Sequence, residues 1–180
     1  MKFIGIKGTD LKLIEVFHSK DDRGEFTKIF NADEFERMGI RSDFRESYYT
    51  KSAKGVIRGM HFQTPPYGHA KLVHVIAGEI IDVVLDIRKN SQTYGKITEI
   101  HLSAQDAKAL YIPEGYAHGF RSMQENTIVS YYVTSGYERD NDKGIRWDSI
   151  GYEWNETEPI LSERDLQFPA FGEFESPFEV

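Results

Sequence analysis

The stretch Gly55-Val56-Ile57-Arg58-Gly59-Met60-His61-Phe62-Gln63 sets an arginine and a histidine among glycine and apolar residues. A histidine titrates near neutral pH, so it can take or give a proton there. A lone histidine in a strand is also a common structural residue. Arg58 and His61 are three apart, and a regular strand would point them to opposite faces. Gly59 between them could seat a bulge that re-aims one side chain. Lys71 and Asp82 are a second candidate pair. If Ala77-Gly78 closes a hairpin, Lys71 faces Val84 and lies diagonal to Asp82. Such a pair is either an edge salt bridge or a lysine held toward an anionic or carbonyl ligand. Tyr131 and Tyr132 are adjacent, so only one can face an interior, where its hydroxyl needs a partner.

The segment Ile112-Pro113-Glu114-Gly115-Tyr116-Ala117-His118-Gly119-Phe120 places Pro, Gly and His in one tight turn after a strand. Its P-x-G-x-x-H spacing resembles the second cupin motif, whose His is a metal ligand in metal cupins. The companion motif needs two His one residue apart, and here that place reads His61-Phe62-Gln63. His61, His69 and His118 could still meet in a fold, but the metal-ligand spacing is broken. A structural or substrate role suits His118 better.

These residues need a β scaffold. Residues 56–63, 71–76, 79–87, 96–102, 109–112 and 127–134 read as strands, with 71–76 and 79–87 joined as a hairpin. A short helix is expected over 31–38, ending before Gly39, and one turn over 104–107. Many short strands with few helices favour a sandwich, jelly roll or barrel over a doubly wound sheet. The tail from Trp154 carries Pro159, Pro169 and Pro177 and several acids, and is expected to be irregular and to wrap the surface.

The chain has 180 residues, enough for one domain with a sizeable core. It contains no cysteine, which excludes thiolate ligands, thiolate nucleophiles and disulfides. Its net charge of −7 makes it a poor binder of nucleic acid, so a phosphorylated ligand would need local positive charge. No apolar run reaches membrane-spanning length and no signal peptide is visible, so a cytoplasmic location is expected.

Taken together the segments resemble the dTDP-4-dehydrorhamnose 3,5-epimerase family. The resemblance runs through Asp22 to Phe26, Gly55 to Gln63, Ala70 to Val73, Gly78 to Arg88, Ile112 to Phe120, Gly144 to Trp147 and Leu161 to Asp165. It implies an all-β cupin jelly roll, spanning 1–180 as a single domain. It also implies a homodimer, a nucleoside-diphosphate 4-keto-6-deoxy sugar as substrate, and no metal or organic cofactor. Carried over position by position, His61 matches the catalytic base and Asp165 its carboxylate partner. Tyr131 matches the proton donor, with Tyr132 as rival. Lys71 matches the residue near the C4 oxygen, with Asp82 beside it. Arg58 and Arg23 match diphosphate positions. Phe26, Glu46, Tyr48, Gln63 and His118 fall at substrate-binding positions, and the Arg23-to-Phe26 segment is expected to reach the neighbouring subunit's site.

The residue types suit that chemistry. Protons at C3 and C5 flank the C4 ketone, so removing one gives an enolate. A base takes the proton and a cation holds the oxygen. A tyrosine, with an ordinary pKa of about 10, keeps its proton at neutral pH and can deliver it to the other face. The family usually has Gln and Asn around Glu46 and Tyr48, Glu in place of Lys28, and often an aromatic in place of Gly136. These departures imply a nucleotide other than dTDP. A sugar-nucleotide 3,4-ketoisomerase, a metal cupin and a non-catalytic binding cupin are the alternative readings.

Overall fold

The computed structural model describes all 180 residues. In chain order the elements are β1 (Lys2–Gly5), β2 (Lys12–Glu15), β3 (Phe17–Asp21), β4 (Gly24–Lys28), α1 (Ala32–Arg37), β5 (Glu46–Ser52), β6 (Ile57–Gln63) and β7 (Lys71–Ala77). They continue with β8 (Glu79–Asp86), β9 (Ile97–Ser103), β10 (Lys108–Ile112), β11 (Tyr116–Ser122), β12 (Thr127–Val133), β13 (Asp142–Gly144) and α2 (Glu163–Leu166). One sheet has the order β1-β2-β10-β7-β12-β5, and a second has the order β13-β6-β11-β8-β9. All pairings between these strands are antiparallel. The β3–β4 hairpin forms a separate two-stranded sheet.

Alternation along the strands sorts side chains into three cores. Between the sheets, Val73, Val75 and Val129 meet Ile80, Val84, Leu102 and Phe120. On the outer face of the six-stranded sheet, Leu72, Ala109 and Tyr111 pack on Phe35 of α1. On the outer face of the five-stranded sheet, Ile57, Phe62, Val83 and Leu85 pack on Ile145, Trp154 and Phe178. The result is the jelly-roll sandwich expected, with its two outer faces covered by α1 and by the C-terminal tail.

Helix α1 starts where Asn31 Oδ1 accepts the Glu34 N–H, and Gly39 (φ 66°) follows its end. Its buried Phe35 makes edge contacts with Phe3, Phe30, Phe44 and Tyr111. Truncating such a ring to alanine costs about 3–5 kcal/mol, so this small helix is pinned by one side chain.

Three expectations need correction. Strands β7 and β8 do not pair. β7 lies between β10 and β12, and β8 lies between β11 and β9. At Gly78 (φ 78°) the chain leaves one sheet for the other, pressed so closely on Thr127 that a Cβ would fall 2.4 Å from its hydroxyl. The Lys71–Asp82 cross-strand relation therefore does not exist. His118 is not in a tight turn either: the turn is over by Gly115 (φ 87°), and His118 sits inside β11. The tail, by contrast, is largely irregular and wraps the outer face of the five-stranded sheet, as expected. Trp154 and Phe178 are buried, and Ile160 bridges to Val56 beside β6.

Candidate active site

A cavity of about 220 Å³ opens between the two sheets. From the six-stranded sheet, β5 contributes Glu46, Tyr48 and Thr50, β12 contributes Tyr131 and Val133, and Lys71 reaches in from β7. From the five-stranded sheet, β6 contributes Arg58, His61 and Gln63, and β11 contributes His118 and Phe120.

The parity problem in β6 is solved by a bulge. His61 pairs with His118 and Arg58 with Phe120, so three steps along β6 match two along β11. Both Arg58 and His61 then face the cavity. Glycine makes this possible. A Cβ on Gly59 (φ 143°) would lie 2.5 Å from the Gly119 Cα, so the two backbones touch where side chains would hold them apart.

His61 Nε2–H donates to Asp165 Oδ1 at 2.7 Å, which leaves Nδ1 with the lone pair in the neutral ring. The carboxylate comes from α2, where Ser162 Oγ caps the helix by accepting the Asp165 N–H. Asp165 Oδ2 also accepts the Gly59 N–H at 3.2 Å, tying α2 to the bulge. Burial alone would raise the Asp165 pKa, but its bonds to His61 and to Gly59 outweigh this and hold it low. Burial depresses the His61 pKa, with Lys71 and Arg164 adding to it, while Asp165 opposes. The imidazole is therefore a free base at neutral pH.

Lys71 Nζ donates to the His61 carbonyl at 3.1 Å, so a cation from one sheet reaches across to the other. Burial pulls its pKa down to about 8, against the pull of Asp142 and Asp82. Tyr131 is 5% exposed and burial pushes its pKa up, so it keeps its proton. Its neighbour Tyr132 points the other way and packs on Phe44. The choice between the two tyrosines is thus made by the strand's two faces: only Tyr131 enters the cavity.

Other expected residues take different places. Asp82 is fully buried and pairs with His118 Nε2 at 2.7 Å, rather than with Lys71 directly. Gln63 lines the cavity, but its amide is engaged by the protein: Oε1 accepts the Glu138 N–H, and Nε2 donates to the Gly136 and Tyr67 carbonyls. Glu46 Oε2 accepts the Tyr137 N–H at 2.9 Å. Arg58 Nε donates to Ser52 Oγ, and its guanidinium stands in no ion pair. Arg23 and Phe26 are not in the site of their own chain. They lie on the β3–β4 hairpin, where the Arg23 side chain is 91% exposed and pairs with Asp21. Lys28 ends the same hairpin.

His69 joins His61 and His118 in the cavity, which also gathers residues not singled out by sequence. Asp142 of β13 and Arg164 of α2 pair at 2.6 Å at its rim. Ser135 and Tyr137 complete that end. Burial and the nearby Lys71 push the His69 pKa down to about 3. Ser135 was accessible in principle, since it continues the alternation from Tyr131 through Val133. Asp142 and Arg164 carried no such signal. No group of three or more His, Cys, Asp or Glu side chains is placed to hold a metal ion. No helix is long and apolar enough to cross a membrane.

The family profile for dTDP-4-dehydrorhamnose 3,5-epimerase matches residues 6–173. The chain is 43% identical over 159 residues to the dTDP-4-dehydrorhamnose 3,5-epimerase of Methanothermobacter thermautotrophicus, covering 85% of each chain. It superposes with a TM-score of 0.91 on the Legionella pneumophila dTDP-6-deoxy-D-glucose-3,5-epimerase in complex with dTDP-4-keto-L-rhamnose. That pair is 31% identical and covers 97% of this chain and 94% of the other. A 3'-monoepimerase from Streptomyces bikiniensis, in complex with dTDP-quinovose, superposes with a TM-score of 0.87 at 27% identity, covering 96% of this chain and 88% of that one. The chain belongs to the dTDP-4-dehydrorhamnose 3,5-epimerase family, and so to the sugar-nucleotide isomerases.

Proposed function

We propose that this family member inverts C3 and C5 of a dTDP-bound 4-keto-6-deoxy sugar, with His61 as base and Tyr131 as acid. One observation carries the reading: His61 and Tyr131 enter one cavity from opposite sheets. Inversion requires that geometry, because a proton leaves one face of the carbon and another arrives on the opposite face.

The steps follow from the groups present. His61 Nδ1 takes the proton beside the ketone, and the bonding electrons move to the C4 oxygen. Lys71 Nζ supplies the countercharge for that enolate. Asp165 stabilises the imidazolium through Nε2–H. Tyr131 delivers its proton to carbon from the other wall, which the depressed acidity of a buried phenol permits only to a strong base such as the enolate carbon. Arg58, whose charge is not neutralised by a carboxylate, suits the diphosphate.

The substrate's nucleotide follows the relatives. Lys28 lies outside the cavity and the Glu46 carboxylate is engaged by Tyr137, so neither residue argues for another base. Competition among dTDP, CDP, GDP and UDP tests this, with dTDP expected to bind tightest. The chain acts as one unit, since residues from Glu46 to Arg164 line a single cavity. It works as a homodimer whose β3–β4 hairpin serves the neighbouring site. The support is the hairpin's exposure: Phe17 and Phe26, in edge contact with each other, are 53% and 56% exposed.

The test is proton NMR in D₂O with dTDP-4-keto-6-deoxyglucose. Deuterium is expected at C3 and C5, and none with His61→Ala. Exchange at C3 alone would make the protein a monoepimerase. Exchange that survives His61→Ala would remove His61 as base.

A further inference from the structure

Each inversion leaves two groups of the protein in the wrong protonation state. His61 has gained one and Tyr131 has lost one, and both must be reset before the next turnover. The His61 side chain is 29% exposed and can release its proton to water. Tyr131 is 5% exposed and needs a route. The Thr50 hydroxyl beside it is itself buried, so it offers no path to water.

Tyr48 has that access. It is the cross-strand partner of Tyr131 in the β5–β12 register. The two rings stack with centroids 4.9 Å apart and planes 20° from parallel. In-register side chains on one sheet face stand side by side, so both phenols project into the cavity together. β5 is the edge strand, and Tyr48 is 43% exposed while still lining the cavity. One phenol is sealed and its neighbour is half in water.

We propose that Tyr48 is the relay that returns a proton from solvent to Tyr131 after each inversion. The proposal rests on the reading of Tyr131 as the acid. In the reset, a water bridging the two stacked phenols gives a proton to the Tyr131 phenolate and takes the hydroxyl proton of Tyr48. The Tyr48 phenolate then takes a proton from water or a buffer acid, and the His61 imidazolium gives one to water, so the count closes. The direction is favourable: Tyr131 is the more deeply buried and is pushed up the more, so the inner phenolate is the stronger base.

The test uses Tyr48→Phe, which keeps the stacked ring and removes only the hydroxyl, with dTDP-4-keto-6-deoxyglucose under rapid quench. The expected result is a burst of one inverted carbon per site, followed by a steady rate about 100-fold below wild type, at the low end of the usual share of a proton-transfer group. KM should stay within twofold. The slow steady rate should climb with imidazole buffer concentration, which replaces the relay, while the wild-type rate does not respond. Tyr48→His, which can also carry a proton, should recover part of the steady rate. A Tyr48→Phe enzyme with wild-type kcat, one whose first inversion is as slow as the rest, or one blind to buffer would overturn the relay. A wild-type enzyme that inverts neither carbon would overturn the site assignment instead.

Discussion

The cavity holds two histidine–carboxylate pairs on neighbouring strands, and they differ in almost everything but chemistry. His61 and His118 face each other across β6 and β11. Each gives its Nε2–H to an aspartate at 2.7 Å. Asp165 arrives from a helix more than a hundred residues away in sequence, while Asp82 comes from the adjacent strand β8. The His61 side chain is 29% exposed; that of His118 is 3% exposed. A base must meet substrate and then release its proton, so only the open pair can turn over. The closed pair fixes the wall beside Tyr131, whose ring lies edge-on to His118 with centroids 6.2 Å apart. On the proposed mechanism, exposure rather than residue type separates the catalytic pair from the supporting one.

The contrast breaks most sharply at the carboxylates. Asp165→Asn keeps the shape but removes the charge that holds the His61 tautomer, so kcat should fall by about 100-fold or more, measured at saturating substrate. KM should change little. If Asp165→Asn kept wild-type kcat, the open pair would be no more than a structural contact.

The next effect is on pH dependence. In the proposed mechanism His61 works in its neutral form, and its pKa lies below the ordinary 6.5. So kcat/KM should hold through pH 6.5 and fall only at lower pH, as the ring gains a proton. Lys71 works in its charged form with a pKa of about 8, so a second fall should begin above that value. Lys71→Arg stays charged at all accessible pH and should remove the alkaline fall alone. A profile flat to pH 9.5 in the wild type would count against Lys71 as the countercharge.

The smallest effect on activity belongs to the closed pair. Asp82→Ala strands a buried imidazole donor, which costs about 2 kcal/mol of stability. For a chain of this size that is roughly 4–8 °C in Tm, read by calorimetry. Activity at 20 °C should drop by less than about tenfold, since His118 takes no proton in the reaction. A loss as large as that of Asp165→Asn, with Tm unchanged, would make the two pairs equals.

Much of this was legible before the fold was known, and the gaps have physical causes. The strands β6, β9, β10 and β12 announce themselves because each has a buried face and an apolar rhythm. β3 and β4 are exposed along almost their whole length, so no hydrophobic pattern marks them. β7 and β8 look like a hairpin because two apolar runs flank Ala77-Gly78. Strand pattern reports burial, not partner, and here each run pairs in a different sheet. Asp82 was misassigned for the same reason. The residue types at His61, Lys71, Tyr131 and Asp165 were readable from the family resemblance. Gly59 offered a bulge that would re-aim Arg58 or His61, and the register shows it; what sequence could not supply was that Tyr48 stacks on Tyr131.

The central claim is that base and acid work from opposite walls. Tyr131→Phe tests it most directly, in D₂O with dTDP-4-keto-6-deoxyglucose, following C–H exchange and configuration together by NMR. The account predicts that His61 still exchanges the proton at the carbon it faces while inversion falls by at least about 100-fold, because the deuteron returns from the side it left. Inversion that persists at the wild-type rate would contradict it, since the second proton would then come from somewhere other than the Tyr131 wall.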